Sequence, residues 1–505
     1  MSKRPNIIYL LWDHHAYYDH GESVEGPKIL RPNSERIAKL GVEFTRAYTA
    51  CPLCCPARRT MLTGLYPHNH GEIKNDTNHK YDREVYLEKL KEVGYKLFYI
   101  GKWHAGRGTA HQFGCEGFNY KGYGNPYLTP EYQAYLKEKD LPPFEVRIMH
   151  SFLDPDEPYN QALKIYEGEL HKPEFLSLSE HAVGIMTTPK ETHEAFFLAH
   201  LACRRLESLA ESGNSSPFHL RIDFWGPHQP YYVPQEYYDM YDPKAIPELP
   251  SFRDDLNNKP RIYRCNHDSK ISEKGKLITP NPLDWEIWQE VLACNYAHQT
   301  LVDAAMGLIL DKLEELGFSE NTMLILSSDH GDAVGSYGGH FDKDAYMPET
   351  MIRVPFIISY PEVIPKNIKS DKLVSNIDLA PTILDAAGTN FSDPVDGVNL
   401  LSLFKEKMPE WREELMVQTH GHYIEHLGRA VLYDRYKYIF NEGDMDELYD
   451  LTSDPHELNN LINIPKYDNI LKIMKEKLHK LRIKAEDNIT KSMIKGRRLK
   501  KKIDD

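Results

Sequence analysis

Apolar and polar positions along this chain follow two periods. Short apolar, β-rich runs at residues 7–12, 96–100, 218–224, 323–327 and 356–359 read as strands buried on both faces. Between them, helical periodicity predicts helices at 33–40, 85–93, 192–212, 285–316 and 379–387. Strands alternating with helices predict an α/β fold, a large mostly parallel sheet flanked by helices on both faces. Such sheets place their sites beyond the carboxyl ends of the strands. Asp13, Lys102 and Asp329 each follow a predicted strand, so three separate segments are expected to converge there.

Two stretches depart from this rhythm. Residues 223–276 are rich in Pro, Tyr and Asp and show little periodicity. They are expected to form an extended insertion near the mouth of the site. After about residue 399, short runs at 415–418, 429–433 and 437–440 predict antiparallel strands, and 467–484 predicts a closing amphipathic helix.

Composition narrows the class. A chain of 505 residues is long for a single core and suggests one large domain with a smaller one. The net charge of −14 argues against a general nucleic-acid binder. The basic run from Lys495 to Lys502 reads as a solvated terminus. No apolar run reaches transmembrane length, so no membrane partner is expected. The run after Lys3 and Arg4 ends at Asp13 without a small-residue cleavage site. Seven Cys without a disulfide-scaffold spacing point to a reducing compartment, and together these features predict a cytoplasmic protein.

The densest chemical signal is Cys54-Cys55-Pro56-Ala57-Arg58, followed by Gly64. Pro56 suits the first turn of a helix. Cys54 is then expected just ahead of a helix N-terminus, where backbone N–H groups and the dipole favour an anion. Arg58 adds a planar charged fork suited to a tetrahedral oxyanion. Asp13 and Asp329 are hard oxygen donors fit for Ca²⁺, Mg²⁺ or Mn²⁺, whereas His14 and His330 beside them tilt a site towards Mn²⁺ or Zn²⁺. His14 could also point away and leave its place to His15 or water. A different arrangement stays open here: Cys51, Cys54 and Cys55 with a His as a zinc knuckle in a non-catalytic protein.

The Cys54–Gly64 spacing resembles the signature of the type I sulfatases, in the alkaline phosphatase superfamily. Further blocks resemble that family in the same order: residues 6–13, Gly101-Lys102-Trp103-His104-Ala105-Gly106, Pro227-His228-Gln229-Pro230, residues 324–332, Phe341-Asp342-Lys343 with Arg353-Val354-Pro355, and residues 447–455. The resemblance implies a catalytic α/β domain over 1–398 and a small C-terminal α+β subdomain over 399–505. It implies that a dedicated maturase oxidises Cys54 to Cα-formylglycine, whose hydrate attacks the sulfur of a sulfate ester. An unmodified thiolate fits poorly, because attack on sulfur would leave a stable S-sulfonate. One divalent metal is implied, with Ca²⁺ first and Mn²⁺ or Zn²⁺ as alternatives, held by Asp13, His14, Cys54, Asp329 and His330. Arg58, Lys102 and Lys343 would hold sulfate oxygens, His104 would be the base, and His228 the leaving-group acid. Asn75 would donate to the sulfate. Tyr231, Tyr232, His420, His422 and His426 are candidates for contacting a hydroxylated leaving group. The substrate expected is a sulfate monoester, on a small molecule or a carbohydrate. The competing reading is a phosphonate monoester or phosphodiester hydrolase of the same superfamily. A homo-oligomer stays open.

Overall fold

The computed structural model describes residues 4–17, 26–75, 77–122, 124–152, 165–173, 182–213, 216–268, 284–340, 342–404, 410–422 and 424–490. Its centre is an eight-stranded sheet. Reading across it, the strands are Ile368–Ser370, Val42–Phe44, Phe356–Ser359, Thr322–Ser328, Asn6–Trp12, Phe218–Asp223, Lys96–Lys102 and Asn119–Tyr120. The five from Thr322–Ser328 to Asn119–Tyr120 run parallel, and Phe356–Ser359 pairs antiparallel on both sides. All seven residues of Asn6–Trp12 are buried, as a strand covered on both faces must be.

Helices cover both faces. Pro32–Leu40, Glu194–Glu211 and the 31-residue Trp285–Glu315 pack one core with Ile8, Leu10, Leu220 and Ile222. Cys54–Thr63, Tyr86–Glu92 and Leu379–Ala386 pack the other with Ile7, Tyr9, Leu11 and Ile325. Odd and even positions of one strand thus serve opposite cores, which is the two-residue period at work. No helix among the described residues is long and apolar enough to cross a membrane.

The C-terminal part contains the four-stranded antiparallel sheet Glu414–Thr419, Gly428–Tyr433, Tyr436–Asn441, Glu447–Asp450, closed by the helix Asp468–Lys484. The stretch 223–276 departs from the expected loop. Asp223 ends a central strand, and Tyr231–Pro234 is a strand of another four-stranded sheet with Ala182–Met186, Val146–Ser151 and Leu170–His171. Arg261–Asp268 is a helix. Strands this short carry too few alternations to stand out by periodicity. Lys495–Lys502 and Phe341 lie outside the described residues.

Candidate active site

Four neighbouring parallel strands deliver the site. Thr322–Ser328, Asn6–Trp12, Phe218–Asp223 and Lys96–Lys102 lie side by side, so their carboxyl ends bring Asp329, Asp13, Asp223 and Lys102 together. Gly101 is needed for this approach. Its φ is +111°, and a Cβ would sit 2.0 Å from the Asp223 carbonyl oxygen.

The helix Cys54–Thr63 points its N-terminus at this edge, and all ten of its residues are buried. Cys54 is its first residue rather than the one ahead of it. The Leu53 N-cap supplies no side-chain acceptor, so the first-turn N–H groups need partners from elsewhere. Cys55 N donates to Asn75 Oδ1 at 3.0 Å. Asn75 therefore spends its oxygen on the helix, and its amide nitrogen is the group left to donate to a ligand.

Arg58 differs from its expected role. It is fully buried, and its guanidinium donates to Asp329 Oδ2 (2.9 Å), Asp223 Oδ2 (2.9 Å), Asp13 Oδ1 (3.1 Å) and the Lys102 carbonyl (3.0 Å). It clamps the strand-end carboxylates together instead of reaching out for sulfate oxygens. Lys102 Nζ bonds the other oxygen of Asp13. Burial works to raise the Asp13 carboxyl most strongly, but Lys102 and Arg58 together hold it well below the usual range. Asp329 goes the other way, raised by burial and then by the Asp13 charge.

Cys54 Sγ lies 3.2 Å from His330 Nε2 and 3.7 Å from His14 Nε2. His14 Nδ1 is 3.3 Å from Asp332 Oδ2 and 3.5 Å from Asp342 Oδ1, and His330 Nδ1 is 2.8 Å from the Gly331 carbonyl. These partners assign the proton of each ring to Nδ1. Both Nε2 lone pairs then face the Cys54 sulfur. Asp13, His14, Cys54 and His330 place their donor atoms within 4.8 Å of one another, all buried. Two imidazole lone pairs, a carboxylate and a sulfur gathered in one buried cluster are donors of the kind that hold a cation, so the residues present fit the divalent metal that the family resemblance implies. His14 reaches in with φ 60°, a strained conformation of the kind that persists where the surrounding structure enforces it. His15 points elsewhere and pairs with Arg31 at 3.0 Å.

Asp329 stands one step back from this cluster. Its Oδ1 accepts from the backbone N–H of His14 (3.2 Å) and His330 (3.0 Å), and Oδ2 from Arg58. It is the anchor that aims the two imidazoles. Lys343 Nζ is 3.1 Å from Asp342 Oδ1. His228 packs against His14 with the rings tilted by 38° and their centroids 3.7 Å apart, and its Nδ1 lies 2.6 Å from the Gln229 carbonyl. Burial, then Lys343 and Lys102, hold the His228 imidazole well below its ordinary value. His104 is buried with φ 35°, one residue beyond the Trp103 that packs the core.

Several expected residues turn out to be scaffold. Tyr231 OH donates to Asp332 Oδ2 at 3.3 Å, behind His14. His420 pairs with the buried Arg429 at 3.0 Å, and His426 with Asn441 at 2.9 Å. His422 is half-buried. Cys51 and Cys55 join no metal-type cluster among the described residues, and burial pushes the Cys51 thiol up to about 12. That geometry does not make a zinc knuckle. Four residues that do shape the site were given no role from sequence, although Asp332 and Asp342 lie in the family-like blocks. Asp223 anchors Arg58 and also accepts from Arg221 (2.7 Å) and Tyr99 (2.6 Å). Asp332 and Asp342 hold His14, with Asp332 pushed up to about 7 by burial and the Asp342 charge. Asn376 ties Ala50 N (3.0 Å) and Thr49 Oγ1 (2.9 Å) ahead of the nucleophile helix to the Asp329 carbonyl (3.3 Å). The strand-end position of Asp223 was the available signal.

Known proteins match this chain along nearly its whole length. The family description "Sulfatase" matches residues 5–389, and "N-sulphoglucosamine sulphohydrolase, C-terminal" matches 335–484. An ulvan-active sulfatase of Formosa agariphila is 26% identical, covering 94% of this chain and 81% of its own. An N-acetylglucosamine-6-O-sulfatase of Bacteroides thetaiotaomicron is 26% identical, covering 96% and 88%. Among solved structures, a protein in complex with its substrate D-glucosamine-2-N,6-O-disulfate has TM-score 0.70 at 22% identity, covering 97% of this chain and 99% of that one. The phosphonate monoester hydrolase of Agrobacterium radiobacter has TM-score 0.74 at 20% identity, covering 95% and 96%. At those identities the two structures speak for the fold alone. The family match, carried over three quarters of the chain and onto the strand ends that assemble the site, makes this protein a member of the type I sulfatase family of the alkaline phosphatase superfamily and a sulfuric ester hydrolase.

Proposed function

We propose that the protein hydrolyses a sulfate monoester borne by a carbohydrate, with Cys54 converted to formylglycine and one divalent cation beside it. The single observation that carries this is the approach of Cys54 Sγ to His330 Nε2 at 3.2 Å within a buried donor cluster, at the N-terminus of a helix. With two imidazoles and one carboxylate as donors, Mn²⁺ or Zn²⁺ suits the cluster better than Ca²⁺. When in place, the aldehyde hydrate and the cation supply an acidified hydroxyl nucleophile and a route to release sulfate.

The chain's own residues do the rest. Arg58 and Asp329 fix Asp13, His14 and His330 against displacement. Lys102 and Lys343 are buried cations whose charges act on the same centre and oppose negative charge growing on the sulfate oxygens. His104 takes the proton that must leave for the aldehyde to re-form. His228 has its Nδ1 committed to the Gln229 carbonyl, so Nε2 is the atom that gives a proton to the leaving oxygen. A sulfate arriving beside it opposes the two lysines that depress its basicity.

The phosphonate reading has a similar fold in its favour but no feature of this site of its own. A kcat/KM series on matched aryl sulfate, phosphonate and phosphodiester substrates separates the two. Sulfate should lead, and a clear lead for either phosphorus ester would reverse the assignment. Mass spectrometry of the Cys54 peptide after co-expression with a maturase should show an aldehyde at Cys54 and thiols at Cys51 and Cys55.

A further inference from the structure

Beside His228, on the side lined by Gln229 and Tyr232, lies a small cavity of about 40 Å³. Its walls come from residues 124–127, the start of the helix Glu194–Glu211, the segment 225–232 and His298 on the long helix Trp285–Glu315. At roughly 10–15 Å³ per water it has room for about three waters. That is too small for a sugar ring and about right for one substituent of a ring.

The walls carry unmet polar groups. Among the described residues, Gln229 Oε1 and Nε2, Tyr232 OH and both ring nitrogens of His298 are buried without a hydrogen-bond partner. Buried polar atoms are seldom left unmet, because an orphaned donor or acceptor has lost its water and gained nothing in return. Here several border one void next to the leaving-group histidine. The set includes an amide, which offers both an acceptor and donors, and a phenol. Trp225 and Tyr127 supply apolar surface beside them.

Charge in the wall is as informative. Among the described residues it contains no Lys or Arg. Its one carboxylate among them is Glu194, whose Oε2 lies 2.8 Å from His193 Nδ1. That nitrogen accepts from Ala195 N, so Oε2 is another unmet acceptor that repels an anion. Burial, then His193 and His228, hold His298 well below its ordinary value, so it stays neutral. An anionic substituent placed here would lose its water and gain no cation in return, which is costly.

We propose that this cavity is the subsite for an acetamido substituent on the sulfated sugar, bound through Gln229 and Tyr232 with its methyl against the aromatic wall, and that it excludes an N-sulfo group from the same position. The inference rests on the carbohydrate-sulfatase reading and adds the neighbouring substituent to it. Gln229 and Tyr232 are then specificity residues, the first directly after the acid His228 and the second four positions beyond it. Gly226 keeps the floor tight, since a Cβ there would come within 2.7 Å of His298 Nε2.

The test is a kcat/KM panel of glucosamine and galactosamine monosulfates, each as N-acetyl, free amine and N-sulfo forms, with an aryl sulfate run alongside. The wild-type enzyme should prefer the N-acetyl form over the N-sulfo form by about 100-fold or more. That ratio should fall below about tenfold in Gln229→Ala and fall in part in Tyr232→Phe, which removes one hydroxyl and keeps the packing. Turnover of sugar sulfates with no N-acetyl preference, or an unchanged ratio in both variants, would overturn the subsite while leaving the sulfatase reading intact. Turnover of the aryl sulfate but of no sugar sulfate would remove the carbohydrate reading, and the subsite with it. His193, Glu194 and His298 also have donor atoms within 4.8 Å of one another. Elemental analysis of wild type and His298→Ala should therefore show the same metal content. A second equivalent lost in the variant would make the cluster a cation site and overturn the proposal.

Discussion

The nucleophile centre and the C-terminal sheet both bury charge, but they balance it differently. In and around the C-terminal sheet the buried carboxylates Asp487, Glu349 and Glu457 each meet a cationic donor directly. Arg429 grips Asp487 through Nε (2.6 Å) and Nη2 (3.0 Å) and gives Nη1 to the Thr419 and Gly428 carbonyls. Lys437 sits between Glu349 (3.1 Å) and Glu457 (2.5 Å). In these networks the buried charges already face opposite charges within the chain. At the nucleophile centre the donors are spent behind the site, where Arg58 and the backbone hold Asp13 and Asp329. In front, the Nε2 atoms of His14 and His330 converge on Cys54 beside Asp13, with no cationic side chain between the two imidazoles and the sulfur. Buried charge that is already paired serves the fold, whereas buried lone pairs that converge are set for a ligand.

Breaking the open network should abolish chemistry. Cys54→Ala should fold normally, by circular dichroism and thermal melt, and lose turnover by about 10⁵-fold or more, as nucleophile removal does elsewhere. Full activity from a preparation whose Cys54 is entirely thiol would sink this mechanism. Next in size, Asp13→Ala and His330→Ala should each lose the bound metal, read by elemental analysis, and turnover with it. Metal content equal to wild type would contradict the donor set.

His228→Ala sharpens the division within the site. Turnover of esters with poor leaving groups should drop about 10²–10⁴-fold, and activated aryl sulfates much less. Equal losses on both would reassign His228 to positioning.

The paired network should answer only in stability. Arg429→Met leaves the buried Asp487 with Arg482 alone, at 3.0 Å, and should cost about 3 kcal/mol, the low end for a broken buried pair. Activity per folded molecule should be kept. Burial pushes the Asp487 carboxyl up, but Arg429 outweighs it and the net shift is downward. A depressed carboxylate contributes stability above its unfolded value near 3.9, and that contribution fades as pH falls through the lower folded value. The gap between wild type and Arg429→Met, followed by chemical denaturation, should therefore narrow in acid. A gap independent of pH would mean that the pair is not what Arg429 contributes.

Local pattern settled a good deal by itself. The strand and helix periods at 7–12, 96–100, 218–224, 323–327 and 285–316 predicted the parallel core to within a residue or two of the observed elements. Cys54-Cys55-Pro56-Ala57-Arg58 named the nucleophile segment, and the strand-end rule pointed to Asp13, Lys102 and Asp329. These features are legible because period, turn residues and side-chain chemistry are properties of neighbouring positions. Which groups meet is a different matter. It depends on sheet order, which sets Thr322–Ser328, Asn6–Trp12, Phe218–Asp223 and Lys96–Lys102 side by side although they are far apart in the chain. Only that order shows Arg58 clamped behind three carboxylates, Asp329 anchoring the imidazoles, and Tyr231 and His420 turned to scaffold. It also assembles the cavity beside His228 from residues near 125, 193, 229 and 298. A side chain's type is local, but the partner that satisfies it or leaves it open is chosen by long-range packing.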